Sequence, residues 1–158
     1  MSVDELREYG LAEMDDDEMR SFLASQKTGV LGLPGEGGPY LLPLSYRYNG
    51  NNRLYFTFLL GSSSRKETLS EGADAASFLV YKVDTMYNWE SVLLSGTIDA
   101  VPESEWGDLE EPQNHVWQPS LFEEASLSGS VKIYEFRIED LTGIKHQGLP
   151  PALQPDGE

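Results

Sequence analysis

Cysteine is absent from this 158-residue chain, which removes disulfides, thiolate nucleophiles and cysteine-ligated metals together. Histidine is nearly absent. His115 and His146 are too few for a self-contained histidine-rich metal site, and the acids near them read as solvated surface. Basic residues are scarce, with 11 Lys+Arg against 27 Asp+Glu and a formal net charge of -16. Such a chain lacks the positive surface that non-specific nucleic-acid binding or docking on an anionic membrane requires. Spread-out acid with little lysine resembles the surface of proteins from salt-loving organisms, where dense salt screens the self-repulsion. Long apolar runs are missing too: nothing approaches the roughly 18 residues of a membrane span. The opening MSVDELREYG is acidic and polar, unlike a signal peptide, so a cytoplasmic protein is expected. No Gly-x-Ser-x-Gly elbow supports a serine hydrolase.

What is present suffices for one domain with a real core: 39% of residues are hydrophobic and 11% aromatic. Residues 1–14 carry acids without a clean pattern and read as a flexible arm. Asp15, Asp16 and Asp17 supply a cap and first-turn acids for a helix that places Met19, Phe22 and Leu23 on one face and ends near Gln26. A strand over Gly29 to Leu33 runs into Pro34-Gly35-Glu36-Gly37-Gly38. That segment lies between two strand-like runs and fits no dinucleotide or phosphate-loop spacing, so it reads as a hairpin turn. From Tyr40 to Tyr48, Leu42, Leu44, Tyr46 and Tyr48 alternate with Pro43, Ser45 and Arg47, the period of a half-buried strand, and Pro43 calls for an edge or a bulge. Asn49-Gly50-Asn51-Asn52 turns the chain into a third strand, Arg53 to Leu59. Two more follow, Ala75 to Val83 and Trp89 to Val101. The acidic stretch Pro102 to Leu127, with Trp106 and Trp117 as core or interface residues, reads as one or two short helices. The last strand, Val131 to Ile138, alternates Tyr134, Phe136 and Ile138 with polar neighbours. Leu149 to Glu158 is a flexible tail. Six strands joined by short turns argue for a mainly β fold, an antiparallel sheet closed into a small barrel with a few short helices over residues 15–148.

One segment carries the chemistry. After the strand Arg53 to Leu59, a Gly/Ser turn leads through Ser64 to Arg65-Lys66, the only adjacent basic pair, at the start of a short helix ending near Glu71. Cations there oppose the helix dipole. Free N–H groups, hydroxyls and two cations make a dianion site with phosphate as the natural occupant. Alternatively, Arg65 and Lys66 are solvated and paired with Glu67 or Glu71.

The order strand, Gly/Ser turn, Ser64-Arg65-Lys66, helix resembles the phosphate-binding segment of the pyridoxamine 5'-phosphate oxidase-like flavoproteins, with Phe56-Thr57 matching the end of the preceding strand. Trp89-Glu90-Ser91-Val92 through Gly96 resembles a later strand near the flavin, with Ser91 where the oxidases usually carry Gln. Gly29-Val30-Leu31-Gly32-Leu33, Pro39-Tyr40, Pro43-Leu44-Ser45-Tyr46 and the run Glu135 to His146 are similar to the nitroimidazole-resistance-type subfamily.

The resemblance implies a six-stranded split β-barrel that binds FMN at a homodimer interface and transfers hydride between a nicotinamide and a small oxidised substrate. Arg65 and Lys66 would neutralise the FMN phosphate and Ser64 would donate to it. Leu42, Pro43, Leu44, Ser45 and Tyr46, with Phe56 and Thr57, would line the ring and ribityl chain. Ser91 would bond a ring edge, beside Trp89. The oxidases' C-terminal Arg-x-His segment has no counterpart in QGLPPALQPDGE, so pyridoxal phosphate production is not expected. A non-enzymatic flavin-binding or redox-sensing module, and a relative binding deazaflavin or haem, stand as alternatives. In the haem case His146, otherwise a polar strand end, would be the ligand.

Overall fold

A computed structural model describes residues 10–59, 75–102, 104 and 131–148. Helix α1 spans Asp16–Ser25. Its start is set by Asp15, whose carboxylate accepts from the Glu18 N–H at 2.8 Å, with Asp16, Asp17 and Glu18 complementing the positive helix end. Met19, Phe22 and Leu23 are buried, as their spacing predicts. The helix sits close on the sheet because Gly143 lies beneath it: a Cβ there would come within 2.9 Å of Met19 Sδ.

The strands are β1 (Leu11–Glu13), β2 (Thr28–Leu33), β3 (Tyr40–Ser45), β4 (Arg47–Tyr48), β5 (Arg53–Leu59), β6 (Ala76–Thr85), β7 (Asn88–Ala100) and β8 (Val131–Gln147). They form one antiparallel sheet in the order β3-β2-β6-β7-β8-β5-β4, with β1 added to β8. Strands β3 and β4 stand at opposite ends of that order, yet only Tyr46 separates them in the chain. The sheet therefore curls until its ends meet, which is the closure of a split barrel. The Tyr46 N–H leaves both ladders and donates to the Lys27 carbonyl at 2.9 Å.

Side chains of β2, β5, β6, β7 and β8 that point inward form the core around Phe78. Its ring stacks on Phe56 at 4.9 Å and meets Tyr46 edge-on at 5.4 Å, with Leu31, Val80, Leu94 and Phe136 around them. Outside the helix axis, Arg20 bonds Asp16, the Tyr48 hydroxyl and the Asn51 carbonyl, tying α1 to the β4–β5 turn.

The helix, the Pro34–Gly38 hairpin turn and the edge position of the Pro43 strand agree with expectation. Three boundaries differ. The expected strand over 40–48 is broken at Tyr46 into β3 and β4. Residues 11–13, expected in a flexible arm, form β1 opposite His146, Lys145 and Ile144, and Met14 is buried in the core. The last strand continues nine residues past Ile138 to Gln147. A bulge explains that extension. Ser95 faces Asp140 and Gly96 faces Ile138, so Glu139 is extra and the inward set of β8 switches from even to odd positions. A Cβ on Gly96 would lie 1.8 Å from the Arg137 carbonyl, so the bulge needs glycine there. The count rises from six strands to eight through the broken strand and β1. The expected helices over 65–71 and within 102–127 lie outside the described residues, apart from Pro102 and Ser104, as does the tail from 149. Among the described residues no helix is long and apolar enough to cross a membrane.

Candidate functional site

Residues paired in register share a face of the sheet, so the pairing lays out the barrel's outer surface in rows. Pro43, Val30, Leu79, Leu93 and Thr142 form one row across β3, β2, β6, β7 and β8. Tyr81, Ser91 and Ile144 form the next, and Val83, Trp89, His146 and Leu11 the one after. Among the described residues, Leu41, Tyr81, Val83, Met86, Leu93 and Ile144 are the exposed large hydrophobic residues, and all lie on this surface or at the β6–β7 turn that borders it. Leu41 is 64% and Val83 61% exposed, in a chain whose surface is otherwise strongly acidic. A continuous apolar sheet face of this kind marks an interaction surface.

The expected flavin-contacting residues divide between this surface and the core. On β3, Leu42 and Leu44 turn inward and are half-buried, while Pro43 and Ser45 are exposed on the outer face. Tyr46 is buried, and its hydroxyl donates to the Leu23 carbonyl at 2.6 Å. Burial raises its phenol pKa well above the ordinary value. Phe56 is fully buried against Phe78. Both aromatic side chains are thus structural supports of the barrel wall. Thr57 sits on β5 opposite Ile133. Trp89 and Ser91 lie half-buried, two residues apart on the outer face of β7. Ser64, Arg65 and Lys66 lie outside the described residues, and β5 ends at Leu59, five residues before Ser64.

Within one chain β3 and β7 are three strand spacings apart, about 14 Å along the sheet. Pro43 and Ser45 are therefore not brought together with Ser91 and Trp89. Strand β3 ends the sheet order, so among the described residues no strand pairs with its outer edge.

Two arrangements were not legible in the sequence. His146 is 8% exposed, held edge-on between Tyr87 at 5.8 Å and Trp89 at 6.0 Å, and its Nε2 has no hydrogen-bond partner among the described residues. Gly10 closes the ring in, since a Cβ on it would lie 2.8 Å from Nε2. The second arrangement is a group of arginines: Arg47 opposite Tyr55 on β4 and β5, and Arg53 opposite Arg137 on β5 and β8. These residues are far apart in sequence, and only the strand register joins them.

On the inner side of the sheet, an open cleft of about 570 Å³ runs beside α1, lined by Asp15, Asp17, Glu18 and Glu90 with Met14 and Phe22. Four carboxylates repel a phosphate, so this cleft does not suit a flavin phosphate.

The pattern of the pyridoxamine 5'-phosphate oxidase family matches residues 15–145, the helix and strands β2 to β8 except the last two residues of β8. The chain belongs to the pyridoxamine 5'-phosphate oxidase family. Comparison with curated proteins finds no match. Solved structures of this fold include a FAD-binding protein from Mesorhizobium loti, with TM-score 0.69 and 19% identity over 87% of this chain and 98% of that one. A FAD and heme binding protein from Mycobacterium smegmatis aligns with TM-score 0.65 and 15% identity over 89% of this chain and 75% of the other. A candidate 5-nitroimidazole antibiotic resistance protein from Bacteroides thetaiotaomicron aligns with TM-score 0.63 and 16% identity over 85% and 87% of the two chains. These likenesses establish a shared fold, and the family's split barrel is the architecture described above.

Proposed function

We propose that this chain binds FMN and acts, as a homodimer, as an oxidoreductase transferring hydride between a nicotinamide and a small oxidised substrate. The observation that carries the reading is the family match over residues 15–145. The FAD-binding proteins of the same fold, one of which binds heme as well, support a flavin. FMN is favoured because Ser64-Arg65-Lys66 supplies a site for one terminal phosphate directly after β5. The flavin would bring the hydride chemistry itself, while the protein supplies binding, orientation and electrostatics.

In this reading Arg65 and Lys66 neutralise the phosphate and Ser64 donates to it. The outer edge of β3, along Leu42 to Ser45, which no described strand pairs, offers backbone donors and acceptors to a ring edge. Thr57 continues the same lining, and Ser91 offers a hydroxyl beside the flat indole of Trp89. The 14 Å between β3 and β7 supports a site completed by a second subunit. The apolar outer face fits that partner: it presents Leu41, Tyr81, Val83, Leu93 and Ile144 to solvent. A haem bound through His146 is disfavoured, because Gly10, Tyr87 and Trp89 close in its ring.

The test is the absorbance spectrum of protein purified in molar salt, which should show a flavin band near about 450 nm. Replacing Arg65 and Lys66 together by Ala removes two charge-assisted contacts, each worth about 1.5–3 kcal/mol, so flavin should be lost on dilution from a protein that stays folded. Oxidation of reduced nicotinamide by the holoprotein separates an enzyme from a non-catalytic flavin module. Protein that stays colourless and takes up no FMN would refute the reading.

A further inference from the structure

We infer that Arg47, Arg53 and Arg137 form a second anion-binding site, for a phosphate- or pyrophosphate-bearing small molecule, on the outer face of β4, β5 and β8. Three of the four arginines among the described residues meet there, in a chain of net charge -16. Arg53 and Arg137 stand directly opposite each other in register. Like charges in that position repel, so the pair needs a negative partner. Glu135 supplies part of it: its Oε1 lies 3.5 Å from Arg53 Nε and 3.7 Å from Arg137 Nη2. Both distances are ion-pair contacts too long for good hydrogen bonds, and the buried Arg53 Nε has no hydrogen-bond partner among the described residues.

Arg47 adds a third cation, its guanidinium 5.9 Å over the Tyr55 ring, one strand from Arg53. Exposed Asp99 faces Glu135 from β7, a second acid beside the arginines. The Arg53 and Arg137 side chains are 38% and 54% exposed, so a ligand from solvent can reach them. Guanidinium forks on adjacent strands match the several oxygens of a phosphate better than the two of a carboxylate. Strand β5 carries Arg53 and Tyr55 on one face, and this site uses residues different from those proposed for the flavin.

The test uses flavin-free full-length protein at fixed ionic strength and follows ³¹P line width on titration with inorganic phosphate, pyrophosphate and AMP, with acetate as competitor. Wild type should bind pyrophosphate or AMP more tightly than phosphate, and acetate should not compete. Flavin-free wild type should show two binding events: Arg53→Gln with Arg137→Gln should weaken one at least tenfold, whereas Arg65→Ala with Lys66→Ala should remove the other, at the segment proposed for the flavin phosphate, and leave the first within twofold. Glu135→Gln removes the shared counter-charge and should tighten binding several-fold, a direction that a purely structural role for Glu135 does not produce. Should the double arginine variant fail to fold, as judged by its melting curve, Glu135→Gln alone decides. Undetectable binding by wild type, unchanged binding in the Arg53/Arg137 variant, unchanged or weaker binding in Glu135→Gln, or loss confined to the Arg65/Lys66 variant would each overturn the assignment. The last of these would place the anion at the flavin phosphate segment, and leaves the flavin reading itself standing.

Discussion

Tyr46 shows how much depends on which way a side chain points. Its hydroxyl is buried and satisfied by the Leu23 carbonyl, so it ties the β3–β4 corner to the end of α1. Tyr46→Phe should cost about 0.5–1.5 kcal/mol of unfolding free energy at neutral pH. The pH dependence has a definite sign. The folded phenol titrates above the unfolded one, because burial disfavours the phenolate. Stability from this group is complete below the unfolded tyrosine pKa of about 10 and is lost as pH rises beyond it, since only the unfolded chain then releases the proton. Denaturant unfolding from pH 8 to 11 should therefore fall more steeply above about pH 10 in wild type than in Tyr46→Phe. Equal alkaline slopes would mean the hydroxyl is not held as described. The same residue marks what was hidden at this scale. Likeness to a motif locates the segment Leu42 to Tyr46, but a strand's period of two sends 42, 44 and 46 one way and 43 and 45 the other. Phe56 follows the same rule: the motif supplies its position, and its ring packs in the core.

At the scale of elements, patterning was informative wherever it stayed regular. The capped helix with Met19, Phe22 and Leu23 inward, the hairpin turn after β2, and strands β2 to β7, with β3 and β4 read as one, are located from alternation and turn residues. Where the pattern was interrupted, so was the reading. The Glu139 bulge reverses the inward set of β8, so Leu141 and Gly143 continue a strand that seemed to stop at Ile138. The three residues of β1 have too little alternation to signal a strand, and they become one only by pairing with β8. The outer face of β6 and β7 was equally hard to foresee, because its rows exist only once the register is known. That face gives a direct test of assembly. Leu93 lies in the middle of it, 45% exposed and outside the core, so Leu93→Asp should leave the barrel folded. A dimer built on this face would have to bury two repelling carboxylates near its axis, and should weaken at least tenfold. Sedimentation at high salt checks this: a variant that remains as dimeric as wild type would move the interface elsewhere.

For the whole molecule, charge is the dominant global property, and composition alone reveals it; its arrangement is another matter. Nothing in the linear order announces that Arg47, Arg53 and Arg137 share a patch, whereas the pair Arg65-Lys66 is visible because its members are adjacent. The net charge of -16 predicts how the protein responds to salt. At 0.01 M salt the Debye length is about 30 Å, so the acids repel across the entire domain, and a dimer doubles the charge. At 1 M it shrinks to about 3 Å, and that repulsion disappears while apolar burial in the core remains. Salt also weakens phosphate binding to exposed cations, which pulls flavin affinity the other way. Cations partly enclosed with their ligand are screened less than surface acids, so the first effect should win. The melting temperature should then climb as KCl is raised from 0.01 M towards molar concentration, by about 2–4 °C for each kcal/mol of repulsion removed. Bound flavin, followed by its fluorescence, should be released on desalting. A melting temperature that is flat or rises as salt is withdrawn would show that the acids do not limit stability. The likeness to salt-adapted surfaces would then describe composition without adaptation to salt.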